Sequence, residues 1–261
     1  MLSDFDVIVR CFDSPIKIAC ISDVHYGALE HMEKEWNRFL QRVSEDPALY
    51  LILNGDLINN NTRSSVGSPW DDTVRPREQK KRMVEFLEPI KDRILCCTSG
   101  NHERRSLKDA DDDPTYDIMT KLDLEDVYRQ NAAFMKIRIG TEQAFKNRDN
   151  VAYNFAVSHG SGGGIYTGAT VNRNERWGNV IDGIDCVVVG HTHKGTVTRP
   201  SKLVFDPYNN KVTIKDYLVI SCVAWQRYAE YPLQKMMLPS SVGNPQILHL
   251  HDKEKYIEVR W

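Results

Sequence analysis

Four short motifs in this chain carry side chains that bind divalent cations. Each follows an apolar run that predicts a β-strand, and His159 ends a further run of this kind. The motifs are Asp23-Val24-His25, Gly55-Asp56, Gly100-Asn101-His102-Glu103 and Gly190-His191-Thr192-His193. Carboxylate and amide oxygens with imidazole nitrogens suit manganese, iron, zinc, cobalt or nickel, and they argue against a thiolate-rich structural zinc site.

The spacing within the motifs indicates how the ligands converge. Residues i and i+2 of a strand point the same way, so we expect Asp23 and His25 to reach one ion together, and His191 and His193 to point into the same site. All motifs should meet at the carboxyl ends of the strands, where open α/β sheets bind ligands. Sharp backbone turns are expected at the flanking glycines, Gly55, Gly100 and Gly190.

The ligand set predicts two cations and therefore a class of reaction. Two ions about 3.5–4 Å apart need a bridging carboxylate. Asp56 is the natural bridge, because it stands alone between motifs that each offer more than one ligand. Two dications, two aspartates and a bridging hydroxide leave a positive site, which favours an anionic phosphate. Metal-bound water has a pKa near about 7, so a hydroxide nucleophile would be available for hydrolysis of a phosphate ester.

Composition places these motifs in an ordinary globular protein. The chain has 261 residues, of which 41% are hydrophobic and 27% charged, and its net charge of −2 gives no global field toward nucleic acid or an anionic membrane. The N-terminus does not read as a signal peptide, and no apolar run approaches membrane-spanning length. We therefore expect a cytoplasmic protein without a membrane partner. Its six cysteines lack C-x-x-C spacing, which favours core packing over metal binding or redox chemistry.

Strands alternate with helices, and this order predicts an α/β sheet followed by a more antiparallel half. We predict a single domain over residues 1–261, with 195–261 as its β-rich C-terminal part. The predicted helices are Glu30–Glu45, Arg77–Leu87, Pro114–Leu124 and Arg173–Asp182. The predicted strands are Ile16–Ser22, Leu49–Leu53, Ile94–Thr98, Phe134–Ile139, Val151–Ser158, Cys186–Val189, Leu203–Phe205, Lys211–Ser221, Ile247–Leu250 and Tyr256–Val259.

Two further features leave alternatives open. The polar connection Asn59–Pro76 leaves directly after Asp56 and is either a functional loop beside the site or a solvated excursion. A basic cluster follows it, and a charged outer helix face is favoured over a track for a phosphate backbone. The cluster consists of Arg75, Arg77, Lys80, Lys81 and Arg82.

The ordered motif set resembles the calcineurin-like metallophosphoesterase superfamily from Ile16 to about Lys194. The resemblance implies an α/β fold in which a β-sandwich is flanked by helices, in α-β-β-α layers. It also implies two divalent transition-metal ions, with manganese favoured and iron, zinc, nickel or cobalt as alternatives. By resemblance, Asp23, His25, Asp56 and His193 would hold one ion, and Asp56, Asn101, His159 and His191 the other. His102 would contact the scissile phosphate and assist the leaving oxygen.

The sequence departs from one branch of that superfamily. Protein serine/threonine phosphatases continue the second motif as G-D-x-V-D-R-G, whereas this chain reads Gly55-Asp56-Leu57-Ile58-Asn59-Asn60. The departure argues against a protein phosphatase and favours the nuclease and phosphodiesterase branches. Arg104 and Arg105 are candidates for binding a non-bridging phosphate oxygen, with exposed helix-start residues as the alternative. Glu103 would orient His102, unless it serves at the surface or as a helix cap.

These observations lead to three hypotheses. The first is a dinuclear-metal-dependent phosphodiesterase that acts on nucleic acid or nucleotide diesters. The second is a phosphomonoesterase on a small metabolite or a phosphoprotein. The third is a non-catalytic binding scaffold, which is disfavoured because every expected ligand position is filled. The oligomeric state is left open.

Overall fold

The computed structural model describes residues 3–63, 65, 70, 72–147 and 149–261. The remaining positions of the Asn59–Pro76 connection, at 64, 66–69 and 71, lie outside the described residues. The helices are α1 (Glu33–Glu45), α2 (Pro76–Leu87), α3 (Glu103–Ala110), α4 (Pro114–Lys121), α5 (Glu142–Asn147), α6 (Thr167–Val180) and α7 (Glu230–Gln234), with 3-10 turns at Glu88–Arg93 and Glu125–Val127.

Fourteen strands appear in the described part of the chain. They are β1 (Ile8–Phe12), β2 (Ile16–Ile21), β3 (Leu49–Asn54), β4 (Ile94–Thr98), β5 (Tyr128–Arg129), β6 (Ala132–Ile139), β7 (Val151–Ser158), β8 (Cys186–Val189), β9 (Thr196–Thr198), β10 (Ser201–Asp206), β11 (Lys211–Asp216), β12 (Leu218–Ser221), β13 (Ile247–Leu250) and β14 (Ile257–Arg260).

Twelve of these strands form two mixed six-stranded sheets. Sheet one has the order β14-β13-β2-β3-β4-β5, and sheet two has the order β1-β6-β7-β8-β12-β9. The central strands β2, β3 and β4 of sheet one run parallel, as do β7, β8 and β12 of sheet two. Within the described part of the chain, the strands β10 and β11 pair only with each other.

A single large core lies between the sheets. It joins Ile18 and Leu51 of sheet one to Ile137 and Val188 of sheet two. The apolar faces of the helices close the outer sides. Trp36 of α1 is buried in the same core. Trp177 of α6 and its neighbour Ile181 pack on a smaller cluster formed by Ala156, Val187, Val189, Tyr217 and Val219 on the other face of sheet two. This arrangement is the predicted α/β sandwich flanked by helices.

Local sequence explains where two of these helices begin. Pro76 occupies the first turn of α2, where its missing N–H costs nothing. Pro114 does the same in α4, and the Asp113 side chain caps that helix by accepting the backbone N–H groups of Thr115 and Tyr116.

The C-terminal half differs in part from the prediction. Lys211–Ser221 was expected to be one strand, but it is divided at Tyr217, where the chain passes from the β10–β11 pair into sheet two. The helix expected at Arg173–Asp182 begins earlier, at Thr167. Strands β1, β5 and β9 and helices α3, α5 and α7 were not predicted. Among the described residues, none of the helices has both the length and the apolar character needed to cross a bilayer.

Candidate metal centre

The motif residues meet where loops leave the carboxyl ends of five strands. Loops after β2, β3 and β4 bring residues from sheet one, and loops after β7 and β8 bring residues from sheet two. The backbone there is unusual, since several non-glycine residues have a left-handed conformation with φ between 48° and 69°. They are Asp23, His25, Asp56, His191 and His193. Such residues cluster at functional sites because surrounding contacts must hold them in place.

The alternation of side chains along a strand was the expected reason for the convergence of Asp23 with His25 and of His191 with His193, and the observed backbone shows that this reason is wrong. Asp23 and His25 lie beyond the end of β2, so their side chains do not converge by the alternation of a strand. They converge because both residues have turned into the left-handed region. His191 and His193 have also left the strand, and they face two different ligand groups.

The first ligand group contains Asp23, His25 and His193, whose potential ligand atoms all lie within 4.8 Å of one another. Nε2 of His193 is 3.1 Å from Oδ1 of Asp23 and 3.1 Å from Nε2 of His25. The other carboxylate oxygen, Oδ2 of Asp23, accepts the backbone N–H of His191 at 2.9 Å. That bond fixes the carboxylate so that Oδ1 points toward the two imidazoles.

The second group contains Asp56, His159 and His191 within the same 4.8 Å limit. Nε2 of His159 lies 3.2 Å from Oδ2 of Asp56. The amide oxygen of Asn101 completes the group, because it is 3.0 Å from Nε2 of His159 and 2.6 Å from Nδ1 of His191. Two oxygens and two imidazole nitrogens therefore face one another.

Asp56 connects the two groups. Its Oδ2 is 3.8 Å from Nε2 of His25 in the first group and 3.2 Å from Nε2 of His159 in the second. Its Oδ1 accepts the backbone N–H of His102 at 2.8 Å. One oxygen of Asp56 is thus held by the backbone, and the other faces both groups.

The atoms that face inward include buried groups without hydrogen bonds. Oδ1 of Asp23 is buried without a hydrogen-bond partner among the described residues, although Nε2 of His193 lies 3.1 Å from it. His159 is oriented from behind, since its Nδ1 lies 2.8 Å from the Asn54 carbonyl and so donates to it. Its Nε2 lies 3.0 Å from Oδ1 of Asn101 and 3.2 Å from Oδ2 of Asp56, so in a neutral ring this nitrogen would turn its lone pair toward two oxygens. A cation bound among these atoms would satisfy the buried Oδ1 of Asp23 and the facing acceptors.

The carboxylates of the site require positive charge. Burial opposes ionisation of Asp56, but His159 and His102 outweigh it and lower its pKa below the usual range. Burial also opposes the charge of His159, and the Asp56 carboxylate outweighs this and raises the pKa of His159 to about 10. The pKa of Asp23 is lowered against burial by His193. A proton on the His159 imidazole therefore occupies a role that a divalent cation would take over.

His102 lies at the mouth of the site. Its Nδ1 donates to the Asn59 carbonyl at 2.7 Å, and its Nε2 is 3.9 Å from Oδ2 of Asp56. His102 also forms a third group with His25 and Asp56, whose potential ligand atoms lie within 4.8 Å of one another. Its ring packs edge-on against His25 with centroids 4.4 Å apart. Burial lowers the pKa of His102 to about 3.

Residues 16–195 match the family model of the calcineurin-like phosphoesterases. The chain belongs to this family. Membership implies a metal-dependent hydrolase of phosphate esters, in agreement with the His and Asp clusters. Among solved structures, the chain is similar to a conserved uncharacterized protein, a predicted phosphoesterase, from Streptococcus pneumoniae TIGR4. The TM-score is 0.37 at 9% identity, over 94% of this chain and 88% of that one. A search of curated proteins gave no significant match.

In this calcineurin-like phosphoesterase, Glu103 joins two of the ligand loops. It is fully buried, and its carboxylate accepts the backbone N–H groups of Asp56 and Gly100 at 3.0 Å and of Ile58 at 3.1 Å. Burial and then the charge of Asp56 raise the pKa of Glu103 to about 7. The carboxylate contacts neither solvent nor the His102 ring, so it positions loops rather than His102 alone.

Asn59, Asn60 and Asn61 stand where the protein phosphatases of the family have a different motif, and here they build a network that the sequence did not reveal. Nδ2 of Asn60 donates to the His102 carbonyl at 2.8 Å. Asp72 accepts the side-chain N–H groups of Asn59 and Asn61 at 2.7 Å and of Gln79 at 2.9 Å. The start of the Asn59–Pro76 connection therefore lies beside the site and supports His102. The run Asn59-Asn60-Asn61 was the only sign of this network in the sequence.

The two arginines after the G-N-H-E motif have different surroundings. Arg104 donates to the backbone carbonyls of Ser99 and Gln130, which favours a structural role. Arg105 donates to Oδ1 of Asn61 at 3.1 Å and to Oγ of Ser65 at 3.3 Å. Burial lowers the pKa of Arg105, while the nearby carboxylates, Asp56 first among them, oppose that shift. Arg105 is therefore within electrostatic reach of the ligand groups.

The flanking glycines act partly as expected. Gly55 has a φ of +74°, and a Cβ there would lie 2.6 Å from the backbone nitrogen of Gly100. Gly100 does not have a positive φ, and its own Cβ would collide with Asp56. The second glycine is therefore required by close approach of two loops rather than by a sharp turn.

The contacts of the basic cluster and the burial of the cysteines bear on two further interpretations of the sequence. In the basic cluster, Lys80 pairs with Asp117 at 2.6 Å, and Arg82 pairs with Glu78 and Glu85. These pairs favour the charged helix face. All cysteines except Cys11 are buried, as expected for packing residues.

Proposed function

We propose that this calcineurin-like phosphoesterase holds two divalent cations and hydrolyses phosphodiesters. One cation would be held by Asp23, His25, Asp56 and His193, and the other by Asp56, Asn101, His159 and His191. The observation that carries this proposal is the shared position of Asp56, whose Oδ2 faces both groups while its Oδ1 is held by a backbone N–H.

The donor set fits such ions on its own chemistry. It consists of carboxylate and amide oxygens and imidazoles, and it includes the buried Oδ1 of Asp23 without a hydrogen-bond partner. Mixed ligands of this kind suit manganese, iron, zinc, nickel or cobalt, and manganese is the ion that we propose. Two ions bound there would supply an acidified water and positive charge for the phosphoryl oxygens.

The residues at the mouth have separate roles in the proposal. His102 would contact the scissile phosphate through Nε2, which would take up a proton beside the anionic substrate and pass it to the leaving oxygen, and its ring is fixed for this by the bond from Nδ1 to Asn59. Arg105 would bind a non-bridging oxygen of the substrate. Arg104 is not included, because its guanidinium is bound to two backbone carbonyls.

The neutral character of Asn60 supports a diester over a monoester. In the protein phosphatases, by the motif given above, that region of the second motif supplies an arginine. Here the Asn60 side chain is engaged by the His102 carbonyl and by Ser106, so it offers no charge to a substrate. Among the described residues next to His102, Arg105 is then the cationic side chain available. A single guanidinium suits a monoanionic diester better than a dianionic monoester.

The natural substrate is proposed as a nucleic acid or nucleotide diester in the cytoplasm. The Asn59–Pro76 connection beside the site supports this choice, whereas the basic cluster on α2 does not, because its Lys80 and Arg82 are paired with carboxylates. Free cysteines without disulfides fit a reducing compartment. We also propose that residues 1–261 act as one domain.

Turnover of bis-(p-nitrophenyl) phosphate against p-nitrophenyl phosphate, with manganese added, tests the substrate class. We expect a clear diester preference and no turnover by Asp56→Asn. Arg105→Met should raise KM for the diester with a smaller effect on kcat, while Arg105→Lys should retain part of the binding. A monoester preference would contradict the diester proposal and favour the phosphatase alternative.

A further inference from the structure

The strands β10 and β11 form a projecting ribbon, which we call the distal arm (residues 201–216). The two strands of the arm keep the antiparallel register of β9 and β12 in sheet two, because Thr198 lies opposite Val219 and Ser201 lies opposite Asp216. Among the described residues, neither β10 nor β11 pairs with a third strand. A ribbon of six residues per strand is about 20 Å long. Two-stranded hairpins of this kind have little stability in water unless something packs on them.

The distal arm turns its apolar face toward solvent and its charged face toward the body of the protein, the reverse of the usual pattern. Leu203 lies opposite Ile214, and Phe205 lies opposite Val212, so these four side chains share one face. They are 56% to 75% exposed, and Tyr208 at the tip is 94% exposed. We call this surface the outer apolar face. Contiguous apolar surface of this kind is unusual in a monomer, where exposed apolar residues occur singly.

The opposite face carries the charge and is turned toward the body of the protein. Lys202 and Lys215 lie directly opposite each other, an unfavourable pair unless each has an anionic partner. Lys202 lies 3.4 Å from Asp182 and donates to the Ile181 carbonyl at 2.8 Å, and Lys215 lies 3.5 Å from Asp185. These contacts fix the arm with its apolar side outward.

The tip of the arm is a formed turn. Oδ1 of Asp206 accepts the backbone N–H groups of Tyr208 and Asn209, and Asn210 takes a φ of +48°. The outer apolar face is therefore presented by a defined hairpin.

We propose that the outer apolar face is the interface of a homodimer, in which the distal arms of two copies pack face to face about a two-fold axis. The area supports a second copy as the occupant. The four side chains of the face at roughly 100–150 Å² each give about 400–600 Å² per copy. The pair would bury about 800–1,200 Å², which is the size of a reversible interface of modest affinity.

The charge distribution also permits self-association. The lysines of the arm, Lys202, Lys211 and Lys215, lie on the inner face, so two outer faces can meet without opposing cations. The carboxylate of Asp216, at the base, already accepts the hydroxyl of Ser201 at 2.7 Å. In an isologous interface each side chain is buried twice, once from each copy.

Sedimentation velocity from about 1 to 100 µM tests the proposal. Wild type should dimerise in this range. Phe205→Ser should weaken dimerisation by about 100-fold or more, since one substitution removes a buried side chain from both copies. Phe205→Leu should retain the dimer. Val9→Ser, which changes a 49% exposed apolar residue elsewhere, is the matched control and should also dimerise.

Hydrogen exchange provides a readout that needs no variant. Amides of residues 201–216 should exchange more slowly at high than at low protein concentration. A wild type that stays monomeric at about 100 µM would overturn the proposal and assign the face to a different partner. A dimer that survives Phe205→Ser combined with Ile214→Ser would overturn it as well. Both results are independent of phosphoesterase activity.

Discussion

Removal of the Glu103 carboxylate should weaken the fold and the metal centre together. The carboxylate is fully buried and accepts three backbone N–H groups, from Asp56, Ile58 and Gly100, at 3.0–3.1 Å. Glu103→Ala leaves three buried donors without partners. At about 1 kcal/mol for each, the free energy of unfolding should fall by about 3 kcal/mol.

Glu103→Gln provides a graded comparison. One oxygen of Glu103 accepts two of the three N–H groups and the other accepts the N–H of Ile58. In Glu103→Gln the amide oxygen can still accept the N–H groups of Asp56 and Gly100, but the NH₂ group then faces the backbone N–H of Ile58, and two donors meet. The loss should be about 1–2 kcal/mol, between wild type and the alanine variant.

The assay is urea unfolding of the metal-free protein, followed by manganese titration. Because Glu103 holds the loops that carry Asp56 and Asn101, manganese affinity should fall by about 10–100-fold in Glu103→Ala. Glu78→Ala, which removes an exposed partner of Arg82, should change stability by less than about 0.5 kcal/mol. A Glu103→Ala protein with wild-type stability and manganese affinity would refute the reasoning.

Three further predictions concern single contacts. His102→Ala should lower kcat by about 100-fold or more while bound manganese, measured by mass spectrometry, stays at the wild-type level; loss of both ions would contradict its assigned role. Asp72→Asn can keep an oxygen on the side chains of Asn59 and Asn61 but turns its NH₂ group against that of Gln79, and it should lower kcat by about tenfold with unchanged metal content; an unaltered kcat would show that the asparagine network does not support His102. Burial opposes the charge of Asp46, but Lys17 at 2.7 Å outweighs it and lowers the pKa of Asp46, so its stabilisation is present above about pH 4 and is lost as pH falls through the folded-state pKa. Asp46→Asn should therefore cost up to about 1 kcal/mol at pH 7 and almost nothing near about pH 2 in urea unfolding, and an equal cost at both would contradict this origin.

The sequence predicted most of the strands because buried strands are continuous apolar runs, whereas the sandwich was expected from the resemblance to the calcineurin-like superfamily. The runs at Ile94–Thr98, Val151–Ser158 and Cys186–Val189 were predicted with the bounds that the structure has. Helix α3 was missed because its sequence, ERRSLKDA, has one apolar side chain longer than alanine and so shows no amphipathic period.

The gathering of the motif residues was predicted, but its geometry was not. Left-handed φ values at residues such as Asp23 and His191 depend on tertiary contacts that no local pattern encodes. Asn54 illustrates the same limit: it ends an apolar run, yet its side chain ties sheet one to the Ser158 carbonyl of sheet two at 2.9 Å. Such contacts connect residues more than a hundred positions apart, beyond the reach of periodicity.

The central claim is that Asp56 is shared by two cations, and the number of ions bound per chain tests it most directly. Native mass spectrometry with manganese should give two ions for wild type. It should give one ion for Asp23→Ala and one for Asn101→Ala, because each of these residues faces a single group. Asp56→Asn should retain neither ion tightly. Two tightly bound ions in Asp56→Asn, or a wild type that binds one at most, would contradict the account.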